Sequence, residues 1–141
     1  MIRVREIDHL VLRVVDARAM LAFYRDVLGC RVERDRDDLG LIQLRAGRSM
    51  IDLVPIEGRL GREGGGKPDP NARNLDHFCL RIDPFDEASL RRELHAAGVA
   101  VGETAARYGA EGEGPSIYIR DPDGNTVELK GPPSIPGTRA S

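Results

Sequence analysis

The alternation of apolar and polar residues along this chain is written twice. Ile7-Asp8-His9-Leu10-Val11-Leu12-Arg13-Val14 has the short, β-branched character of a strand, and Leu75-Asp76-His77-Phe78-Cys79-Leu80-Arg81-Ile82 repeats it, His77 standing 68 positions after His9. Alternate side chains of a strand share a face, so His9, Val11 and Arg13 point one way and Asp8, Leu10, Leu12 and Val14 the other. His77, Cys79 and Arg81 fall in the same frame. A helical pattern follows each copy. Asp16 caps a helix over Ala17 to Leu28, with Leu21, Tyr24 and Leu28 as its apolar stripe and Gly29 as its stop. In the second copy a helix starts at Pro84 to Asp86 and runs through Ala97, with Leu90, Leu94 and Ala97 turned inward and Gly98 as the stop.

Strands follow both helices. In the first half they are expected at Cys30 to Arg34, Leu39 to Leu44 and Ser49 to Pro55, with Asp35 to Asp38 as a turn and Ala46-Gly47-Arg48 as a tight hairpin. In the second half Val99 to Val101 begins a strand, Ala105 to Gly114 is a Gly-rich connection, and Pro115 to Arg120 and Thr126 to Lys130 are strands around the turn Asp121-Pro122-Asp123-Gly124. The order is β-α-β-β-β in each half. The expected organisation is a module over 1–56, a linker or mobile loop over 57–74, a second module over 75–130 and a disordered tail over 131–141. Glycines and prolines lie among charges in the linker, without apolar periodicity.

The closing hairpins extend the repeat, with Ile42-Gln43-Leu44-Arg45 matching Ile117-Tyr118-Ile119-Arg120 and Met50-Ile51-Asp52-Leu53 matching Thr126-Val127-Glu128-Leu129. Ile51, Leu53, Val127 and Leu129 face the helices, so Asp52 and Glu128 face the opposite side, where His9 and His77 also point. Two imidazoles and two carboxylates on inward faces are a metal-ligand set, suited to Zn, Ni, Co, Fe(II) or Mn with water positions open. A lone histidine or acid on a strand is usually structural. Four in duplicated frames are not, because buried carboxylates without a cation are costly. His95 sits on the outward face of its helix and reads as solvated.

Composition narrows the partners. The 21 basic and 23 acidic residues give a net charge of -2, which favours neither nucleic acid nor an anionic membrane. No apolar run approaches the ~20 residues of a membrane-crossing helix, and the N-terminus lacks the apolar core of a signal peptide, so a cytoplasmic location is expected. Cys30 and Cys79 are isolated, fit a reducing compartment and read as small buried residues.

Three stretches, Ile7-Asp8-His9, Phe23-Tyr24-Arg25-Asp26-Val27-Leu28-Gly29 and Tyr118 through Leu129, make the chain resemble the vicinal oxygen chelate superfamily from about residue 5 to residue 130. That superfamily includes glyoxalase I, extradiol dioxygenases, fosfomycin-resistance enzymes and bleomycin-binding proteins. The resemblance implies an α+β fold: two βαβββ modules forming an open, barrel-like mixed sheet around a metal cleft, helices outside, often completed by dimerisation, hence a homodimer. It implies metal positions at His9, Asp52, His77 and Glu128. Glyoxalase I fills all four, with Glu or Gln where this chain has Asp52, whose side chain is shorter by a methylene, or ~1 Å of reach.

The implied activity is a divalent-metal-dependent lyase or isomerase acting on a small substrate with vicinal oxygens. Glu128 and Asp52 would be catalytic, Gln43, Met50, Val54, Tyr118 and Thr126 would line the pocket, and Arg13 and Arg81 would anchor anions. Arg13 matches an arginine that holds a carboxylate of glutathione in bacterial glyoxalase I, which makes glutathione a candidate cosubstrate. Two alternatives come with the same family. One is a three-ligand Fe(II) dioxygenase or thiol transferase using His9, His77 and Glu128. The other is a non-catalytic small-molecule binder of the bleomycin-resistance type.

Overall fold

A computed structural model describes residues 1–134. The chain divides into two compact units, Met1–Arg73 and a second that begins at Asn74. In the first unit, strands β1 (His9–Val14), β2 (Arg31–Arg36), β3 (Leu41–Ala46) and β4 (Ser49–Pro55) form an open mixed sheet in the order β1-β4-β3-β2. In the second, β5 (Phe78–Arg81), β6 (Ala105–Gly109), β7 (Gly112–Arg120) and β8 (Thr126–Lys130) take the equivalent order β5-β8-β7-β6. The first strand of each unit runs parallel to the last, and the remaining pairings are antiparallel. The architecture is the α+β one expected, as two four-stranded mixed sheets. Among the described residues no helix is long and apolar enough to cross a membrane.

One face of each sheet is buried by a helix. Helix α1 (Ala17–Ala22) begins where the Asp16 carboxylate accepts a hydrogen bond from the Ala19 amide at 2.9 Å, and continues as a π-helical turn over Phe23–Val27. The wider turn shifts the stripe expected at Leu21, Tyr24 and Leu28 to Met20, Phe23 and Tyr24, which are buried with Leu12, Val14, Leu44, Ile51 and Leu53. Each such side chain contributes about 1.5–3 kcal/mol by leaving water. Helix α3 (Glu87–Ala96) is capped by Asp86 in the same way, through the Ser89 amide at 2.8 Å. Of its expected inward residues Leu94 is buried with Ile117, Ile119, Val127 and Leu129, Leu90 is half-buried, and Ala97 is exposed at the C-cap. Gly29 and Gly98 both end their helices at φ 74°, the left-handed conformation that a side chain would resist.

Three expectations need correction. The strand placed at Val99–Val101 is absent: Val99 and Gly98 amides close back onto Leu94 and His95 carbonyls, while Arg91 holds the Gly102 carbonyl and the Thr104 hydroxyl, so the segment belongs to the helix end. The Gly-rich connection instead supplies the strand, as the hairpin of β6 and β7. Within 57–74, residues Arg59–Glu63 form a short helix, α2. The tail begins in register rather than loose, Gly131 and Ser134 amides donating to the Pro115 and Glu113 carbonyls at 2.8 Å each; the rest of it lies outside the described residues.

Candidate metal centre

The sheet face away from each helix carries the candidate site residues. In the first unit β4 presents Met50, Asp52 and Val54, and the register sets Met50 beside His9, Asp52 beside Val11 and Gln43, and Val54 beside Arg13. Asp52 is buried. Gln43 Nε2 donates to its Oδ2 at 3.1 Å, while Oδ1, also buried, has no hydrogen-bond partner among the described residues. His9, half-exposed at the start of β1, donates through Nδ1 to Asp8 Oδ1 at 2.7 Å. That bond raises its pKa above the ordinary 6.5, partial burial opposes the rise, and the Asp52 charge adds to it.

The second unit repeats the arrangement. Glu128 on β8 is buried between Cys79 of β5 and Tyr118 of β7 in the sheet register. Its Oε2 stands 3.4 Å from His77 Nε2, and Oε1 is buried with no hydrogen-bond partner among the described residues. His77 Nδ1 donates to Asp76 Oδ2 at 2.6 Å, and its ring packs edge-on against Tyr118 with centroids 5.4 Å apart. An ionised carboxylate can only accept, so Nδ1 carries a proton in both histidines, and Nε2 is the ring nitrogen left for another partner, in the second unit Glu128. A carboxylate behind an imidazole is the arrangement that orients metal-ligating histidines.

Asp8 and Asp76 were thus missed as positioning residues. Strand alternation put Asp8 on the opposite face, but β1 starts at His9 and β5 at Phe78, so both aspartates precede the regular pleat and swing round to their histidines. The duplicated Asp-His dipeptide was the available signal. Cys79, expected to be buried, is an exposed residue; partial burial of its sulfur and then the Glu128 carboxylate push its thiol up to about 11, so it is protonated at neutral pH. Cys30 is buried, and His95 is exposed.

Arg13 has four of the five donors of a guanidinium on loop carbonyls: Nε and Nη2 to Gly61 at 3.2 and 2.9 Å, Nη2 to Gly65 at 2.6 Å and Nη1 to Gly66 at 3.1 Å. Arg81 pairs with Glu111 at 2.7 Å, and Thr126 is half-buried opposite Arg120. Each unit therefore carries one imidazole and one carboxylate with an unused buried oxygen, in contact in the second unit and coupled only through the Asp52 charge in the first. Among the described residues no group of three or more His, Cys, Asp or Glu side chains is gathered to hold a metal ion. The donor chemistry of the two pairs fits a divalent ion: imidazole nitrogen, carboxylate oxygen and no thiolate.

The sequence profile of the Glyoxalase/Bleomycin resistance protein/Dioxygenase superfamily matches residues 6–129, and the chain belongs to that superfamily. It is 32% identical over 124 residues to the virulence protein STM3117 of Salmonella typhimurium, covering 87% of this chain and 81% of that protein. The crystal structure of the same protein superposes with a TM-score of 0.75 at 30% identity, over 93% of this chain and 99% of that one. Lactoylglutathione lyase from Agrobacterium tumefaciens is similar over 89% of this chain and 92% of its own, at 28% identity and a TM-score of 0.63. TnmS3, an antibiotic binding protein from Streptomyces sp. CB03234, shares the fold at 20% identity and a TM-score of 0.66, over 94% of this chain and 99% of its own.

Proposed function

We propose that this protein is a divalent-metal-dependent lyase or isomerase of the glyoxalase I type, acting on a small molecule with two neighbouring oxygens, with His9, Asp52, His77 and Glu128 as its metal-holding residues. One observation carries the reading. Each unit repeats a buried carboxylate with an unused oxygen, and each has an imidazole whose Nδ1 is held by the preceding aspartate. Buried anionic oxygens without partners are expensive in a finished fold and ordinary in a ligand site. Similarity to a lactoylglutathione lyase supports the same class.

A bound divalent ion would supply Lewis-acid polarisation of the two substrate oxygens and stabilise the negative charge that develops on proton removal. The remaining work falls to the chain. Asp8 and Asp76 hold the two imidazoles in one tautomer, with Nε2 free to donate its lone pair. Gln43 fixes Asp52 through Oδ2 and leaves Oδ1 available, which offsets the shorter side chain by orienting it. Glu128 Oε1 is the group placed to accept a proton from the substrate and return it. Met50 and Val54 would line the site from the first unit and the Tyr118 ring from the second. The protein as a homodimer is part of this reading, as is glutathione as a cosubstrate.

Two measurements test it. Purified protein is expected to take up Ni, Zn, Co, Mn or Fe, and to turn over methylglyoxal with glutathione; loaded protein without that turnover would refute the glyoxalase assignment. Asp52→Ala is expected to weaken metal binding by about 10-fold or more, the scale of even indirect ligand changes. Near-intact affinity would favour instead a three-donor dioxygenase or transferase site.

A further inference from the structure

Lys130 is a chemical group that the proposed reaction leaves unused. It ends β8 on the same face as Glu128, two residues further on, so the two side chains leave the sheet about 7 Å apart. Lysine at a strand end normally extends its amine into water. Here it is 5% exposed, and its Nζ is buried with no hydrogen-bond partner among the described residues.

The stem of Lys130 lies across two glycines. A Cβ at Gly109 of β6 would meet its Cε at 2.6 Å, and one at Gly114 of β7 would stand 3.1 Å from its Nζ. Any side chain at those positions would fill the track that the lysine occupies. Beside it Arg107 is already committed, donating to the Ser116 carbonyl and hydroxyl at 2.8 Å each and lying 4.3 Å from the Tyr118 ring centre.

Arg81 is the neighbour that can change partners. It is opposite Lys130 in the β5–β8 register, and its Nε pairs at 2.7 Å with Glu111, whose turn joins β6 to β7 between Gly109 and Gly112. The ion pair thus reaches from β5 over the lysine's strand to the hairpin tip. Both of its members are partly exposed, so it is a weak and exchangeable contact. Glu111 thus holds Arg81 only, and the buried Lys130 ammonium has no hydrogen-bond partner among the described residues.

We propose that Lys130 and Arg81 form an oxyanion-binding site on this face, its Arg81 half held in the ligand-free chain by Glu111 and its Lys130 half without a partner among the described residues. A small molecule bearing a carboxylate or phosphate-type group displaces Glu111 and takes both cations. Two donors of different geometry, a guanidinium fork and an ammonium, suit an oxyanion with several acceptor oxygens. As a statement about the substrate this rests on the proposed function: the substrate then carries an anionic group about 7 Å along the strand from Glu128.

The test uses the full chain treated with a chelator, so that no metal contributes, at constant ionic strength. Inorganic phosphate and malonate are titrated by calorimetry and by amide NMR at Gly109 and Gly114. Saturable binding of at least one is expected, weakened about 10-fold or more in Lys130→Met, the scale of a lost charge-assisted hydrogen bond. Glu111→Gln, a change on an exposed turn, is expected to strengthen it about threefold by removing the competing carboxylate. Arg120→Met should leave it unchanged. Absence of saturable binding in both wild type and Glu111→Gln overturns the proposal, as does binding that survives Lys130→Met in a protein shown by circular dichroism to be folded. Metal uptake, measured separately, distinguishes this failure from failure of the metal-site reading.

Discussion

The smallest unit of the candidate site is a dipeptide. Asp8-His9 and Asp76-His77 each place a carboxylate against the Nδ1 of the imidazole, which leaves Nε2 as the ring nitrogen that would ligate an ion in the proposed site. Asp8→Asn and Asp76→Asn are expected to lower metal affinity by about 10-fold or more while leaving the fold intact, measured by competition with a chromophoric chelator. The same pair predicts a pH effect in the metal-free protein. The His9 pKa is raised above 6.5, chiefly by Asp8, so the stabilisation from charged His9 is complete below 6.5 and is lost as pH rises through the raised value. A Tm series for wild type and Asp8→Asn should diverge below that range and converge above it. An equal difference at every pH would count against the pairing. At this scale the histidines and carboxylates were legible because duplication marked them. Their aspartate partners were not, because strand periodicity does not govern residues just before a strand starts.

At the scale of elements, the repeat made the two sheets readable and the irregular pieces were what it missed. Ile51 and Leu53 flank Asp52 as Val127 and Leu129 flank Glu128, and the helices cover the apolar face in both units. Leu129→Ala and Leu53→Ala are each expected to cost about 2–5 kcal/mol in urea unfolding, since both are fully buried in central strands. The π-helical turn, the hairpin of β6 and β7 and helix α2 follow from contacts distant in sequence, which a local pattern does not encode. Helix α2 is the clearest case. Glycine-rich sequence alone reads as linker, yet Gly61 is buried where a Cβ would stand 1.9 Å from the Pro55 carbonyl, and Arg13 ties the carbonyls of Gly61, Gly65 and Gly66. Arg13→Ala should therefore make the 59–66 segment cleavable in limited proteolysis while cleavage elsewhere is unchanged. Protection equal to wild type would show that the loop holds itself.

For the whole molecule, duplication has a stoichiometric consequence. Each unit buries its own core and carries its own imidazole and carboxylate, so independent units would take an ion each. Two protein donors are too few for that: divalent ions of this ligand chemistry take three or four. The proposed glyoxalase-type reading assigns all four donors to one ion, so the protein is expected to bind one equivalent per chain rather than two. Equilibrium dialysis with Zn or Ni decides it when run with His9→Ala and His77→Ala. Each variant should lose affinity by more than about 10-fold, because each removes a direct donor from the shared set. Two equivalents per wild-type chain, or a single variant that keeps one equivalent at unchanged affinity, would mean that the units bind independently and that the pairs do not form one centre.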